Sequence, residues 1–341
     1  MTPRSPSHHR THAASRTHLR LRQVLTLALL SCACAPAARA QDQPTATQGA
    51  DDEVLTVRTD IITLPVFVGD SHARRVGSLA ASDFVARIDG RPAEIRYFAA
   101  GTARVALVFA LDASGSARDH IARQREAARA LLSRFGAGSR VGVLAFADRA
   151  ALVRRLSSAE LPPEAFRIDA RPNSRTAVFD GALAAVRAFD AAGPDAGERR
   201  IVVLLSDGLD TASTTRANEV VKAARARGVS IYVIHLPVYG VRGDRVGVRR
   251  PARGFRELAY ETFGRYILLG DERQALQPNP TYDLAPVFAA VADDLQTQYV
   301  IGLHADPSMR DGREHTLSVS LTPGKPKLLV FALRDKFILK P

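Results

Sequence analysis

The sequence predicts an α/β protein in which a doubly wound, mainly parallel sheet carries a smaller β module. From Arg104 onward, short apolar runs alternate with segments whose apolar residues recur at helical spacing. The runs Val105–Leu111 and Ile201–Leu205 are apolar at nearly every position, as strands buried on both faces require. Such alternation favours a parallel sheet with helices on both faces. On either side of this region, β-branched segments separated by turn residues predict strands without helices.

Five segments follow from these patterns. Of the 341 residues, 46% are hydrophobic and 24% charged, an ordinary globular mixture that excludes a largely disordered or fibrous chain. We expect the C-terminal strands to pair with strands of the N-terminal module. We predict a signal peptide at 1–40, a linker at 41–52, an N-terminal β module at 53–102, the α/β domain at 103–297 and a C-terminal β segment at 298–341.

The first 40 residues have the pattern of a secretory signal peptide. Basic residues without any acid precede an apolar run at Val24–Leu30, and an Ala-Arg-Ala cleavage site ends at Ala40. The run is shorter than the about 20 residues that span a bilayer. We therefore expect export to the periplasm or the medium. The alternative is a lipid-anchored form acylated at Cys32, which follows Leu-Leu-Ser, and membrane association is expected for that form alone.

Half of the formal net charge of +12 belongs to this signal peptide. Its removal takes away six arginines and both cysteines, and leaves 41 basic residues against 35 acidic ones, a net charge of +6. The basic residues are not interleaved with aromatic side chains, so nucleic-acid binding is not expected. Two neighbouring cysteines are too few for a disulfide scaffold or a four-ligand zinc site.

Oxygen-bearing side chains cluster where strands of the predicted sheet end. Asp112, Ser114 and Ser116 follow the first strand of the α/β region. Thr176 precedes a predicted helix, and Asp207 follows a later buried strand. Serines that cap a helix or an Asp-Gly turn would explain each segment alone. Ligands of such sheets bind beyond the carboxyl ends of the strands, and Mg²⁺ takes about six oxygen ligands. Together the three segments therefore predict a metal site.

The D-x-S-x-S run, the loop threonine and the S-D-G aspartate resemble the metal-ion-dependent adhesion site of von Willebrand factor A (VWA) domains. The resemblance covers about Arg104–Thr297 and includes the order of strands and helices. It implies that these five residues hold Mg²⁺, or alternatively Mn²⁺ or Ca²⁺, directly or through water, and that a partner's carboxylate completes the shell. The flanks are similar to a bacterial family of exported VWA-related proteins at Ser82-Asp83-Phe84, Asp89-Gly90, Gln298-Tyr299 and Asp311-Gly312-Arg313.

A basic loop is expected on the same face as the metal. Pro237–Arg253 follows the carboxyl end of a predicted parallel strand and contains five arginines against one aspartate. One interpretation is that these arginines steer an acidic partner toward the cation. The other is a solvated insertion without a specific role. The arginines are Arg242, Arg245, Arg249, Arg250 and Arg253.

These observations predict an exported, non-enzymatic, adhesion-type module that binds a protein ligand with an exposed acidic residue. One alternative is a structural envelope protein whose metal only stabilises the fold. Another is a metal-assisted hydrolase, which needs a general base near the metal. No His or Glu is evident there, and the histidines of the α/β domain and the C-terminal segment are scattered at His120, His235, His304 and His315.

Overall fold

The computed structural model describes most of the chain from Asp60 onward. The predicted signal peptide, the linker, the predicted helix between Ile121 and Phe135, and Ser116 lie outside the described residues. The described residues are 60–70, 74–102, 104–114, 138–158, 168–169, 171, 173–192, 198–242, 245–271, 283–324 and 328–341.

A six-stranded sheet forms the centre of the α/β region. Its strands are β5 (Arg104–Asp112), β6 (Arg140–Phe146), β7 (Ala150–Ser158), β8 (Glu198–Ser206), β9 (Val229–His235) and β12 (Tyr266–Leu268). The spatial order is β12-β9-β8-β5-β6-β7. Neighbouring strands pair in parallel, except that β7 runs antiparallel to β6 at one edge. The predicted mainly parallel sheet is therefore confirmed.

Helices cover both faces of this sheet. They are α1 (Val178–Arg187), α2 (Ala217–Ala226), α3 (Glu257–Tyr260) and α4 (Ala285–Gln296). One face packs against Phe179 of α1, Val220 of α2 and Leu258 of α3. The other face packs against Phe288 and Leu295 of α4. Coverage of both faces confirms the doubly wound class. No helix within the described ranges has the length and apolar character needed to cross a bilayer.

The helix expected over Arg256–Phe263 is shorter in the structure. It ends at Tyr260, and Phe263 adopts a φ of 57°, which a helix cannot accommodate. Gly264 then passes close to β9: a Cβ at this position would lie 2.0 Å from the carbonyl oxygen of Ile231. The close approach of two backbones, which periodicity does not reveal, therefore ends this helix early.

Two four-stranded sheets from the two flanks form the β module. Their strands are β1 (Asp60–Gly69), β2 (Phe84–Ile88), β3 (Arg91–Ala93), β4 (Ile95–Ala100), β13 (Tyr299–Ala305), β14 (Glu314–Leu321), β15 (Leu329–Ala332) and β16 (Lys336–Ile338). The orders are β15-β1-β13-β4 and β16-β14-β2-β3, so each sheet contains strands from both flanks. Leu64 and Tyr299 of the first sheet share one apolar core with Phe84 and Leu317 of the second. The expected accessory module is thereby confirmed.

The segment predicted as a long basic loop contains a hairpin instead. Strand β10 (Tyr239–Arg242) pairs antiparallel with β11 (Arg245–Val248), and Arg242 lies opposite Arg245 in the register. The prediction of a loop over this range was wrong. Alternating valine and glycine positions suffice for a two-stranded ribbon of four residues a side, which is too short for a clear sequence signal.

A histidine between two carboxylates joins three segments of the β module. The ring nitrogen Nδ1 of His315 lies 2.7 Å from Oδ2 of Asp89, and Nε2 lies 3.2 Å from Oδ1 of Asp311. The imidazole also stacks on Phe337, with ring centroids 5.2 Å apart. Because carboxylates only accept hydrogen bonds, the protonated imidazolium satisfies both contacts. The hydrogen bond to Asp89 is the main cause of a raised pKa of His315.

This cluster predicts a pH-dependent contribution to stability. A raised pKa in the folded protein means that the contribution of His315 is complete below its unfolded pKa of about 6.5 and is lost as pH rises through the folded pKa. We therefore expect His315→Gln to lower the free energy of unfolding more at pH 5.5 than at pH 8.5, measured by urea denaturation. Asp89→Asn should remove most of this pH dependence, whereas equal losses at both pH values would contradict the assignment.

Candidate metal centre

Two strands at the middle of the sheet end in polar residues. From β5 the chain proceeds to β6 and β7 on one side, and later to β8, β9 and β12 on the other. The strand order therefore reverses between β5 and β8, which is where doubly wound sheets bind ligands. Strand β5 ends at Asp112, and β8 ends at Ser206, directly before Asp207. The fold thus brings two of the predicted site segments together.

Asp112 is fully buried, and both of its carboxylate oxygens accept hydrogen bonds. Oδ1 accepts the backbone N–H of Ser114 at 2.9 Å, and Oδ2 accepts the hydroxyl of Ser206 at 2.7 Å. Burial raises the pKa of Asp112 to about 6 despite these bonds, and repulsion from Asp207 adds to the rise. A cation beside this carboxylate would offset the cost of burying its charge.

Thr176 is held against the loop that follows the second aspartate. Its carbonyl accepts the backbone N–H of Thr211 at 2.8 Å and of Ala212 at 3.0 Å, and its own N–H donates to Oγ1 of Thr211 at 3.0 Å. Thr211 lies four residues after Asp207. The Thr176 loop is also tied to the end of β6, because the N–H of Ala177 donates to the carbonyl of Ala147.

Three further residues, which sequence reasoning missed, position these two loops. Oδ1 of Asp210 accepts the N–H of Val178 at 2.9 Å and the hydroxyl of Ser213 at 2.6 Å, and Ser213 in turn accepts the N–H of Phe179. The loop after β8 thereby caps the first turn of α1 in place of a local N-cap. In return, Asp180 of α1 accepts the N–H groups of Thr214 and Thr215. This reciprocal capping makes Thr176 and Asp207 parts of one rigid unit.

His235 forms a hydrogen bond with the backbone of Asp207. Nε2 of His235 lies 2.9 Å from the carbonyl oxygen of Asp207, so this nitrogen donates, and Nδ1 accepts from the hydroxyl of Tyr266. The ring is buried against Phe255, and burial lowers its pKa. Both nitrogens are engaged and the neutral form is favoured. His235 therefore acts as a packing and positioning residue.

Part of the basic segment packs against the same edge of the sheet. The N–H of Ala252 donates to the carbonyl of Gly208 at 2.8 Å, directly after Asp207. Gly208 has a φ of 73°, and a Cβ there would lie 2.7 Å from the side chains of Pro251 and Phe255, so this contact requires glycine. The side chains of Arg242 and Arg245 lie outside the described part. The exposed arginines of this packed segment are Arg249, Arg250 and Arg253.

The described donor set fits a hard divalent cation. The oxygen-bearing residues are at most 6% exposed, and they combine two carboxylates with hydroxyls. Among the residues that the structure describes, no group of three or more His, Cys, Asp or Glu side chains is arranged to hold a metal. The proposed site has only two such side chains, because its remaining ligands are hydroxyls, so it does not conflict with this result. The residues concerned are Asp112, Ser114, Thr176 and Asp207.

The family comparison identifies the α/β region. Residues 106–258 match the model of the von Willebrand factor type A domain. The chain therefore contains a VWA domain, whose sheet order and polar switch point are those described above. No curated protein matches the chain.

Several solved structures are similar in fold. The BatB protein of Bacteroides thetaiotaomicron is 22% identical, with a TM-score of 0.42, over 56% of this chain and 97% of its own. A von Willebrand factor type A protein of Catenulispora acidiphila is 14% identical, with a TM-score of 0.45, over 83% of this chain and 75% of its own. Proximal thread matrix protein 1 of the mussel byssus, solved with zinc in its MIDAS motif, is 15% identical, with a TM-score of 0.44, over 57% and 48%.

Proposed function

We propose that this chain is an exported, metal-dependent protein-binding module of the adhesion type. It holds a divalent cation, Mg²⁺ in the first instance, at the edge of the VWA sheet and engages an acidic side chain of a protein partner there. The observation that carries the proposal is the buried carboxylate of Asp112, fixed by the Ser206 hydroxyl at the point where the strand order reverses. A buried carboxylate there is costly without a compensating cation.

The proposed ligands divide into hydroxyl and carboxylate donors. Asp112 and Asp207 supply carboxylate oxygens, directly or through water, while the remaining ligands supply uncharged hydroxyl oxygens. When bound, the cation supplies a positive charge that two carboxylates do not saturate, and a partner's carboxylate is attracted to it. The chain's own contribution is to hold the donors rigidly, through the reciprocal capping of the two loops. The hydroxyl donors are Ser114, Ser116 and Thr176.

Arginines beside this edge are proposed to steer the acidic partner. Arg249, Arg250 and Arg253 are exposed and belong to the segment that packs on Gly208. Arg242 and Arg245 belong to the hairpin that precedes it. A cluster of like charges beside a binding site raises the rate of association with an oppositely charged partner, and salt screens this effect.

The steering proposal predicts a change in salt dependence. In the double variant Arg249→Ala/Arg250→Ala, we expect partner association to slow by about tenfold at low salt and to depend less steeply on ionic strength. Stopped-flow or biosensor rates from 20 to 500 mM NaCl measure this. Arg91→Ala, which removes an exposed arginine from the β module, serves as the control. Equal salt slopes for the double variant and the unaltered protein would contradict steering.

A paired capture experiment tests the proposed function itself. The mature chain is immobilised and exposed to envelope and culture-supernatant proteins in Mg²⁺ or in EDTA. We expect a partner that is retained in Mg²⁺, released by EDTA and not retained by Asp207→Ala. Thermal stabilisation by Mg²⁺ without any metal-dependent partner would instead favour the structural envelope protein. A metal-assisted hydrolase would need a general base near the metal. Both ring nitrogens of His235 already form hydrogen bonds, so this residue does not supply one.

Export is proposed from the N-terminal pattern. Cleavage after Ala40 would give a mature chain that begins at Gln41 and has no cysteine. Intact-mass measurement of the exported protein distinguishes this form from a chain acylated at Cys32, which would carry extra lipid mass and partition into detergent.

A further inference from the structure

Arg334 is partly buried where the β module meets the VWA domain, and it has no counter-ion among the described residues. Nε of Arg334 is shielded from solvent and makes no hydrogen bond. Within the described residues its guanidinium has neither a hydrogen-bond acceptor nor a carboxylate partner. Burial lowers the pKa of Arg334, and the nearby Arg200 lowers it further, so the protein disfavours this charge as it stands.

Other buried or half-buried arginines of this region do have acceptors. The fully buried Arg199 donates to Gln298, to Ser230 and to two backbone carbonyls. Arg227 forms a two-pronged contact with Asp190 at 2.7 and 2.9 Å. Compared with these, the Arg334 guanidinium contacts no acceptor among the described residues, although a guanidinium readily binds carboxylate or phosphate with two parallel hydrogen bonds.

Arg334 lines two cavities that flank this position. The larger has a volume of about 700 Å³ and lies between α2 and strand β16. The smaller, of about 180 Å³, contains Arg200 and Arg227 and reaches strand β1. Both cavities therefore present cationic groups to whatever enters them.

The larger cavity has an excess of positive charge beside an apolar wall. Lys222 and Arg225 project from α2 into it, and neither forms an ion pair with a described residue. Its two acids are Glu314, which is paired with Lys336 at 2.6 Å, and Asp335, whose charge also acts on Lys336. Its apolar wall is formed by Val221, Phe337 and Ile338.

We propose that this junction cavity binds a small ligand bearing a phosphate or carboxylate group, with the anionic group on Arg334 and an apolar portion against Phe337. The shared chemistry of such ligands is an oxyanion that supplies the acceptors Arg334 lacks. Lys222 and Arg225 attract the anion from the rim of the cavity. Charge and surface thus both match an amphiphilic anion rather than a neutral molecule.

This site lies at the amino ends of the parallel strands, whereas the proposed metal centre lies at their carboxyl ends. Gly228 directly precedes β9, and a Cβ at this position would lie 3.3 Å from Cδ of Arg334. Glu198 of the smaller cavity begins β8. The metal ligands follow the carboxyl ends of these parallel strands. Ligand binding at Arg334 therefore needs no divalent cation, and its test is independent of the proposed adhesion function.

Calorimetric titration of the full mature chain in EDTA tests the proposal. The probes are phenyl phosphate, inorganic phosphate and benzoate, each at constant ionic strength. We expect saturable binding, tighter for phenyl phosphate than for inorganic phosphate because of the apolar wall. Phenyl phosphate against benzoate distinguishes a phosphate from a carboxylate ligand. Arg334→Gln should weaken binding at least about tenfold, whereas the exposed-arginine control Arg91→Gln should leave it unchanged.

Stability measurements keep the result interpretable. Because Arg334→Gln removes a half-buried charge without a partner, its melting temperature without ligand should equal or exceed that of the unaltered protein. If this variant failed to fold, Lys222→Gln/Arg225→Gln on the rim would replace it, with an expected severalfold loss of affinity. Absence of saturable binding by all three probes, or unchanged affinity in the variant tested, would overturn the proposal.

Discussion

Replacing Asp112 or Asp207 by alanine is expected to abolish divalent-cation binding while most of the fold is retained. Each change removes one of the two carboxylates of the proposed site, and the loss of affinity should be on the order of 100-fold or more, since loss of an outer-shell contact alone costs 10- to 100-fold. Titration calorimetry with Mg²⁺ measures the affinity. Circular dichroism confirms that the variants are folded.

Two matched variants sharpen this experiment. Asp112→Asn keeps the shape of the side chain and removes its buried charge, so it should bind no cation and be at least as stable as the unaltered protein in EDTA. Asp148→Ala removes a half-exposed carboxylate paired with Arg171 and should leave the affinity unchanged. Unaltered Mg²⁺ affinity in Asp112→Ala and Asp207→Ala would refute the site assignment.

Arg199→Ala is expected to lower the free energy of unfolding by about 3–5 kcal/mol. The Arg199 guanidinium is fully buried and donates to Gln298, while Gln298 donates to Asp294 and to the hydroxyl of Tyr232. Removing the guanidinium leaves the buried acceptors on Gln298 and Ser230 without a donor. It also removes a buried positive charge near Asp294, which keeps only its longer contact with Arg75 at 3.6 Å. Urea denaturation followed by circular dichroism measures the loss.

An exposed arginine provides the control for that loss. Arg227 has a contact of equally good geometry with Asp190, yet both side chains are substantially exposed, 30% and 53%. Arg227→Ala should therefore cost about 0–1 kcal/mol. Similar losses in Arg199→Ala and Arg227→Ala would show that the buried network contributes no more than a surface ion pair.

The same network explains why one short sequence motif could be noticed but not interpreted. Gln298-Tyr299 is one of the short motifs by which the flanks resemble exported VWA-related proteins, and its sequence alone indicates no role. In the structure, Gln298 connects the end of α4 to Arg199, and the hydroxyl of Tyr299 bonds the backbone of Val76 and Leu79. Gln298 therefore ties the start of the C-terminal segment to the VWA domain, and Tyr299 ties it to the N-terminal part of the β module.

The site was predictable in part, for a physical reason. Asp112 and Asp207 follow buried apolar strands, and parallel strands place their carboxyl ends at one edge, so adjacency follows from local pattern and topology. Ser206, Asp210 and Ser213 were missed because their roles arise from contacts across 32 to 94 positions of the chain. Hydroxyls and carboxylates are common in loops, and nothing in their spacing marks them as caps of a distant helix.

The sequence by itself determined the elements and their class. A strand buried on both faces must be apolar throughout, and a helix on a sheet must repeat its apolar residues every three to four positions, so both leave a local record. The tertiary structure alone decided which polar groups meet: His315 with its two aspartates, Arg199 with Gln298, and Arg334 with no acceptor in the described part of the chain. Which charged and polar side chains meet depends on their proximity in the folded chain. The spacing of apolar residues along the sequence does not reveal it.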